Sequence, residues 1–152
     1  MDMRADLLIV GAGMVGSALA LALQHSGLDI LLLDGSPLSV QRFDSDAPFE
    51  PRVSALSAAS QRILQRLGAW DGIIHRRASP YSHMHVWDGS GTGQIHFSAA
   101  SVHADVLGHI VENRVVQDAL LECLQGSCIE MLANSRLEQM RRSGDDWLLT
   151  LA

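Results

Sequence analysis

The chain has 152 residues, 47% of them apolar, and carries a formal net charge of −6. That length suits one domain with a real core, and the acidic balance excludes the basic face that nucleic-acid binding needs. No apolar run approaches the ~20 residues of a membrane helix, and the N-terminus shows no basic region followed by a cleavage site, which points to the cytoplasm.

In chain order, Ala5 to Val10 is a short, largely apolar run, wholly buried if it is a strand, as central parallel strands are. Met14, Val15, Ala18, Leu19, Ala22 and Leu23 then recur at helical spacing, with Gly27 as the stop. Asp29 to Asp34, DILLLD, reads as a second buried strand. The stretch GSPLSVQRFDSDAPFEP is rich in Pro, Ser and Asp and reads as a long loop. Helical spacing resumes over Ser57 to Leu67 with Ile63, Leu64 and Leu67, and Gly68 ends it. Tyr81 to Trp87 and Gln94 to Phe97 are predicted strands of a hairpin closed by DGSGTG. Asn113 to Gln125 is a predicted helix with Val115, Val116, Ala119, Leu120, Cys123 and Leu124 on one face. Three further strands follow: Cys128 to Leu132, Arg136 to Arg142 and Asp146 to Leu151, the last two joined at Gly144-Asp145.

Gly11, Gly13 and Gly16 fit G-x-G-x-x-G between the first strand and the first helix. The first glycine permits a tight turn, the second lets a pyrophosphate approach the backbone, and the third lets helix and strand pack closely. The helix N-terminus offers free N–H groups and a partial positive charge to phosphate. Asp34 ends the second strand 18 positions after Gly16, where an acid accepts hydrogen bonds from a ribose diol and repels a 2′-phosphate. The motif itself leaves FAD and NAD open. In a plain NAD domain a third parallel strand follows after one crossover. Here the next candidate, Cys128 to Leu132, comes more than ninety residues after Asp34. An inserted sheet in that interval suits an enzyme that covers a flavin ring.

The stretches PRVSALSAASQRILQRLGAW, Pro51 to Trp70, and LGHIVENRVVQDAL, Leu107 to Leu120, resemble the flavin hydroxylases of ubiquinone biosynthesis. These are single-component aromatic hydroxylases of the para-hydroxybenzoate hydroxylase type. Within them the chain is most similar to the enzymes acting on a polyprenylphenol ring. The resemblance implies an α/β fold: a Rossmann-like FAD-binding βαβ, with 1–80 and 105–152 in the FAD-binding part and 81–104 opening an inserted, substrate-covering sheet. It implies FAD as cofactor, NAD(P)H and O2 as co-substrates, and hydroxylation through a flavin C4a-hydroperoxide. It places Gly11, Gly13 and Gly16 at the FAD pyrophosphate and Asp34 at the adenosine ribose. Arg52 falls at the phosphate and ribityl region, and Asn113 on the flavin side of the pocket, where the family more often has Arg or Gln. The family's second FAD signature, an Asp-Gly pair after a later strand, does not occur before Ala152, so the chain is expected to be the N-terminal piece of a longer enzyme, itself inactive. The expected partners are a lipid-like phenol, a membrane surface or quinone-biosynthesis complex, and a second copy of the chain, with no nucleic acid.

Other residues have plainer readings. Arg62, Arg66, Arg76 and Arg77 read as a solvated helix face and its exit. Arg52 otherwise reads as a surface arginine near a helix start. His83, His85 and His96 share a predicted sheet face, but their spacing is not diagnostic of a metal site, and none is assigned. Trp87 reads as core packing, His109 as a loop histidine near the flavin or phenol, and Glu112 as a first-turn helix acid. Cys123 and Cys128 match no zinc or redox motif and read as half-buried thiols. Two other functional classes stay open: an NAD-dependent dehydrogenase, disfavoured by the long insertion, and a non-catalytic assembly module.

Overall fold

A computed structural model describes residues 3–152. In chain order its elements are β1 (Leu7–Val10), α1 (Met14–Leu23), β2 (Ile30–Leu33), β3 (Val53–Ser57), α2 (Ala58–Arg66), α3 (Trp70–Arg76) and β4 (Ser79–Tyr81). Then follow β5 (His83–Trp87), β6 (Gln94–Ser98), a 3-10 turn (Ala99–Val102), β7 (Gly108–Glu112), α4 (Asn113–Gln125), β8 (Glu130–Leu132), β9 (Leu137–Ser143) and β10 (Asp146–Leu151). They form two compact units. One runs up to Arg42 and resumes at Gln117–Ala152; the other is Phe43–Val116, so the division falls inside α4.

The first unit is built on a parallel sheet of order β1-β2-β8. All four residues of β2 are buried, as expected for a strand paired on both sides and covered on both faces. Its register runs Leu7↔Ile30 to Val10↔Leu33 on one side and Leu31↔Glu130 to Leu33↔Leu132 on the other. The Asp34 N–H donates to the Leu132 carbonyl at 3.0 Å, which extends that second pairing by one bond. The widely spaced third strand anticipated from the sequence is therefore parallel to the second, trimmed to its last three residues. Leu32, Leu33, Leu120 and Leu124 are among the most deeply buried side chains. The antiparallel pair β9–β10 turns at Gly144, whose φ of +66° is a left-handed conformation natural to glycine.

The second unit contains elements that sequence pattern does not predict: β3, α3, β4 and β7. The three strands among them form an antiparallel sheet of order β3-β7-β4, with β7 in the centre. In β3 half-buried and exposed residues alternate, with only Leu56 and Ser54 turned inward, so the strand carries no apolar run of its own. Helix α3 has seven residues and buries Trp70 and Ile73, a single i, i+3 pair that is too short to show a period. Ser57 caps α2, accepting a hydrogen bond from the Ser60 N–H at 3.3 Å. That helix buries Leu64, whereas Ile63 is 55% exposed rather than part of the packed stripe.

The predicted hairpin forms as β5–β6, with His85 directly opposite His96. Trp87 is 67% exposed, so it does not take the core position expected of it. No helix among the described residues is long and apolar enough to cross a membrane.

Candidate functional site

The turn after β1 gives each glycine of the motif a distinct physical reason. Gly11 has φ +100°, which L side chains rarely adopt. A Cβ on Gly16 would collide with the Gly11 carbonyl oxygen and press on the Ile9 side chain at 3.3 Å, so this glycine is what lets α1 lie against the turn. A Cβ on Gly13 would meet nothing within 4 Å. Gly13 is also the N-cap of α1, and no side chain caps the helix. The first N–H groups of a helix have no intrahelical acceptor, and here no side chain at the cap takes one up.

Asp34 is tied to the same turn. One carboxylate oxygen accepts from the Ala12 N–H at 2.7 Å and the other from the Ser36 N–H at 2.8 Å. Each oxygen retains a second lone pair, so a diol can still donate to the group while the backbone holds it in place. The Ala12 carbonyl is in turn held by the Ser17 hydroxyl at 3.0 Å and the Gln117 amide at 3.3 Å. The fully buried Ala12 is thus fixed from both sides.

In the second unit Arg52 and Asn113 meet. Arg52 immediately precedes β3, not a helix start, and α2 begins only at Ala58. The Asn113 N–H donates to the Arg52 carbonyl at 2.9 Å, and the Ser54 hydroxyl donates to the Asn113 side-chain oxygen at 2.6 Å. The Arg52 side chain is exposed. The turn residues and Asp34 therefore assemble in one unit, and Arg52 and Asn113 in the other.

His109 lies on β7, not on a loop. Its ring packs edge-on against Trp70 at 5.1 Å, and its buried Nδ1 has no hydrogen-bond partner among the described residues. Glu112 ends β7 instead of opening the first turn of α4 and is 4% exposed. Arg77 is not part of a solvated face: its Nε lies 3.1 Å from Glu112 Oε2, an ion pair without hydrogen-bond alignment. Sequence reasoning missed this pair because its members are 35 positions apart and no local pattern links them. Arg62 and Arg66 are exposed, as expected of a solvated helix face. Cys128 is exposed rather than half-buried, whereas burial, with help from the Glu122 charge, pushes the Cys123 thiol above its ordinary pKa. The three hairpin histidines do converge, with ring centroids 5.4 Å apart for His83–His96 and 6.2 Å for His85–His96. No group of three ligating side chains among the described residues is arranged to hold a metal ion.

No family model matches the chain. It is 33% identical over 151 residues to the 3-demethoxyubiquinol 3-hydroxylase of Escherichia coli, a match covering 93% of this chain and 38% of that protein. It is 33% identical over 152 residues to the ubiquinone hydroxylase UbiL of Rhodospirillum rubrum, covering 99% of this chain and 34% of that protein. Over nearly its whole length the chain is similar to hydroxylases of ubiquinone biosynthesis. It spans about a third of the length of the curated relatives it matches. Solved structures related to this chain in fold include p-nitrophenol 4-monooxygenase PnpA from Pseudomonas putida, with TM-score 0.71, 20% identity, and coverage of 99% of this chain and 37% of that one. The flavin-dependent monooxygenase PieE, solved with FAD and substrate, superposes with TM-score 0.71 at 17% identity, over 99% of this chain and 27% of its own. At such identities the likeness bears on the mixed α/β fold alone.

Proposed function

We propose that this chain carries the dinucleotide-binding part of a FAD-dependent monooxygenase that hydroxylates the aromatic ring of a polyprenylphenol-type ubiquinone precursor, with NAD(P)H and O2 as co-substrates. The observation that carries this reading is the glycine turn: an uncapped helix N-terminus at Gly13, open space beside it, and a carboxylate held at the end of the next strand. That combination fits FAD. The α1 N-terminus would hold the pyrophosphate and Asp34 the adenosine ribose. In the second unit Arg52 would supply a planar cation to a phosphate, and Asn113 would face the flavin side. When bound, FAD supplies the oxygen-activating redox chemistry, while the chain's own residues bind and orient it. The hairpin β5–β6 would open a substrate-covering sheet of the para-hydroxybenzoate hydroxylase kind.

The relatives' printed names support the reaction class. A lipid-like phenol as substrate, contact with a membrane surface or quinone-biosynthesis complex, and self-association belong to the same reading. Exposed apolar side chains such as Trp147, Leu148 and Met140 on β9–β10 favour the last of these. A chimera tests the proposal: this sequence replaces the matching stretch of the Escherichia coli relative. The purified protein is expected to be yellow and to oxidise NADPH in the presence of a short-tailed polyprenylphenol, releasing a hydroxylated ring. A folded but colourless chimera, or a yellow one without ring product, would contradict it.

A further inference from the structure

We propose that Arg77 and Glu112 are positioning residues for Arg52: their ion pair straps the segment Phe43–Arg52 to the end of β7. The inference rests on the reading of Arg52 as a phosphate ligand, but its geometry stands without it. Glu112 is 4% exposed and works in two directions, pairing with Arg77 through one oxygen and accepting from the Glu50 N–H at 2.8 Å through the other. The Arg77 guanidinium lies over the Phe49 ring at 4.4 Å and 5.2 Å from the Phe43 ring centre, and its Nη1 donates to the Ala47 carbonyl at 2.9 Å. One cation thus touches the segment at three places, two aromatic faces and a backbone oxygen, and the carboxylate it neutralises takes a fourth.

The strap continues directly into the candidate ligand. The Arg114 side chain reaches Glu50 Oε1 at 3.2 Å, and the Asn113 N–H donates to the Arg52 carbonyl. Residues 50–52 are therefore held against 112–114 on both the side-chain and the backbone level. An exposed arginine on an untethered loop would sample many directions and lose entropy on meeting an anion. With its backbone fixed, the Arg52 side chain starts from one place. A lysine at 77 keeps the charge but loses the planar fork that stacks on the rings while bonding to Ala47.

Hydrogen exchange resolved by NMR on this chain tests the proposal, with Arg77→Met and Arg77→Lys as variants. The reporters are the Glu50 and Asn113 amides, and the amide of Ile73, a buried residue of α3, is the control within the same unit. Exchange at both reporters is expected to rise at least tenfold in Arg77→Met and by less in Arg77→Lys, with Ile73 unchanged. If Arg77→Met fails to fold, Arg77→Lys carries the same comparison. Reporters that keep the parent rate, or that rise together with Ile73, overturn the positioning role. The Arg52 Nε–H signal is then followed as ADP is added. A shift in the parent that shrinks in Arg77→Met supports the link from strap to ligand, and a shift equally large in both overturns it. A parent in which Arg52 does not respond refutes the phosphate reading of Arg52, and the exchange rates alone then decide the strap.

Discussion

Gly13 and Gly16 are both glycines of one turn, yet the structure gives them opposite vulnerabilities. Gly16→Ala drives a methyl into the Gly11 carbonyl and is expected to cost about 1–3 kcal/mol of folding stability, read as a lowered urea midpoint. Gly13→Ala enters open space, so its folding cost, chiefly that of a poorer N-cap, is expected to stay below about 1 kcal/mol. Its effect should fall on nucleotide binding instead, and a Gly13→Ala protein that unfolds as readily as Gly16→Ala would show the turn to be purely structural. Asp34 combines both roles, since its carboxylate already accepts two backbone N–H bonds. Asp34→Ala is expected to lose roughly 1–3 kcal/mol of stability from the orphaned Ala12 N–H and to weaken FAD or ADP binding as well; calorimetric titration of the folded variant separates the two. The sequence supports the ribose assignment, but not the backbone tether, because nothing local ties position 34 to position 12. At the cysteines, the raised pKa of Cys123 leaves less thiolate at mildly alkaline pH. Iodoacetamide at about pH 8 is expected to label the exposed Cys128 first, with Cys123 following as the pH rises. Equal labelling rates would contradict the burial of Cys123.

Among the elements, legibility tracks how much of the reason for each one lies within it. The β1–α1–β2 segment has an apolar strand, a helical period and glycine punctuation in immediate succession, so its local pattern and its fold agree. The β3 strand, VSALS, has small and exposed residues, and β7, GHIVE, is framed by a glycine and a carboxylate. Both exist through their pairing, β3 with β7 and β7 with β4 as well, a relation no window along the chain contains. The same holds for the Arg77–Glu112 pair. The helix read over Ser57 to Leu67 is legible from its own spacing and the Gly68 stop, and the structure adds that Ser57 both caps α2 and ends β3. Ser57→Ala is expected to remove the cap's bond to the Ser60 N–H and cost about 1 kcal/mol, visible as a shifted thermal midpoint. A change smaller than a few tenths would mean that water caps the helix equally well.

For the molecule as a whole, the topology agrees with the flavoprotein reading that the glycine turn carries. The chain leaves the parallel sheet of order β1-β2-β8 after β2, builds a unit with antiparallel strands over Phe43–Val116, and returns to the same sheet. The sequence shows the length of that excursion and its β5–β6 hairpin, but not β3, β4 or β7. Whether the glycine turn of this chain receives the pyrophosphate of FAD is read from amide chemical shifts recorded during an FAD titration. The N–H signals of Gly13, Met14 and Val15 are expected to move progressively with added FAD, while buried amides such as Leu32 stay in place. A folded chain whose turn amides remain fixed at saturating FAD would contradict the account.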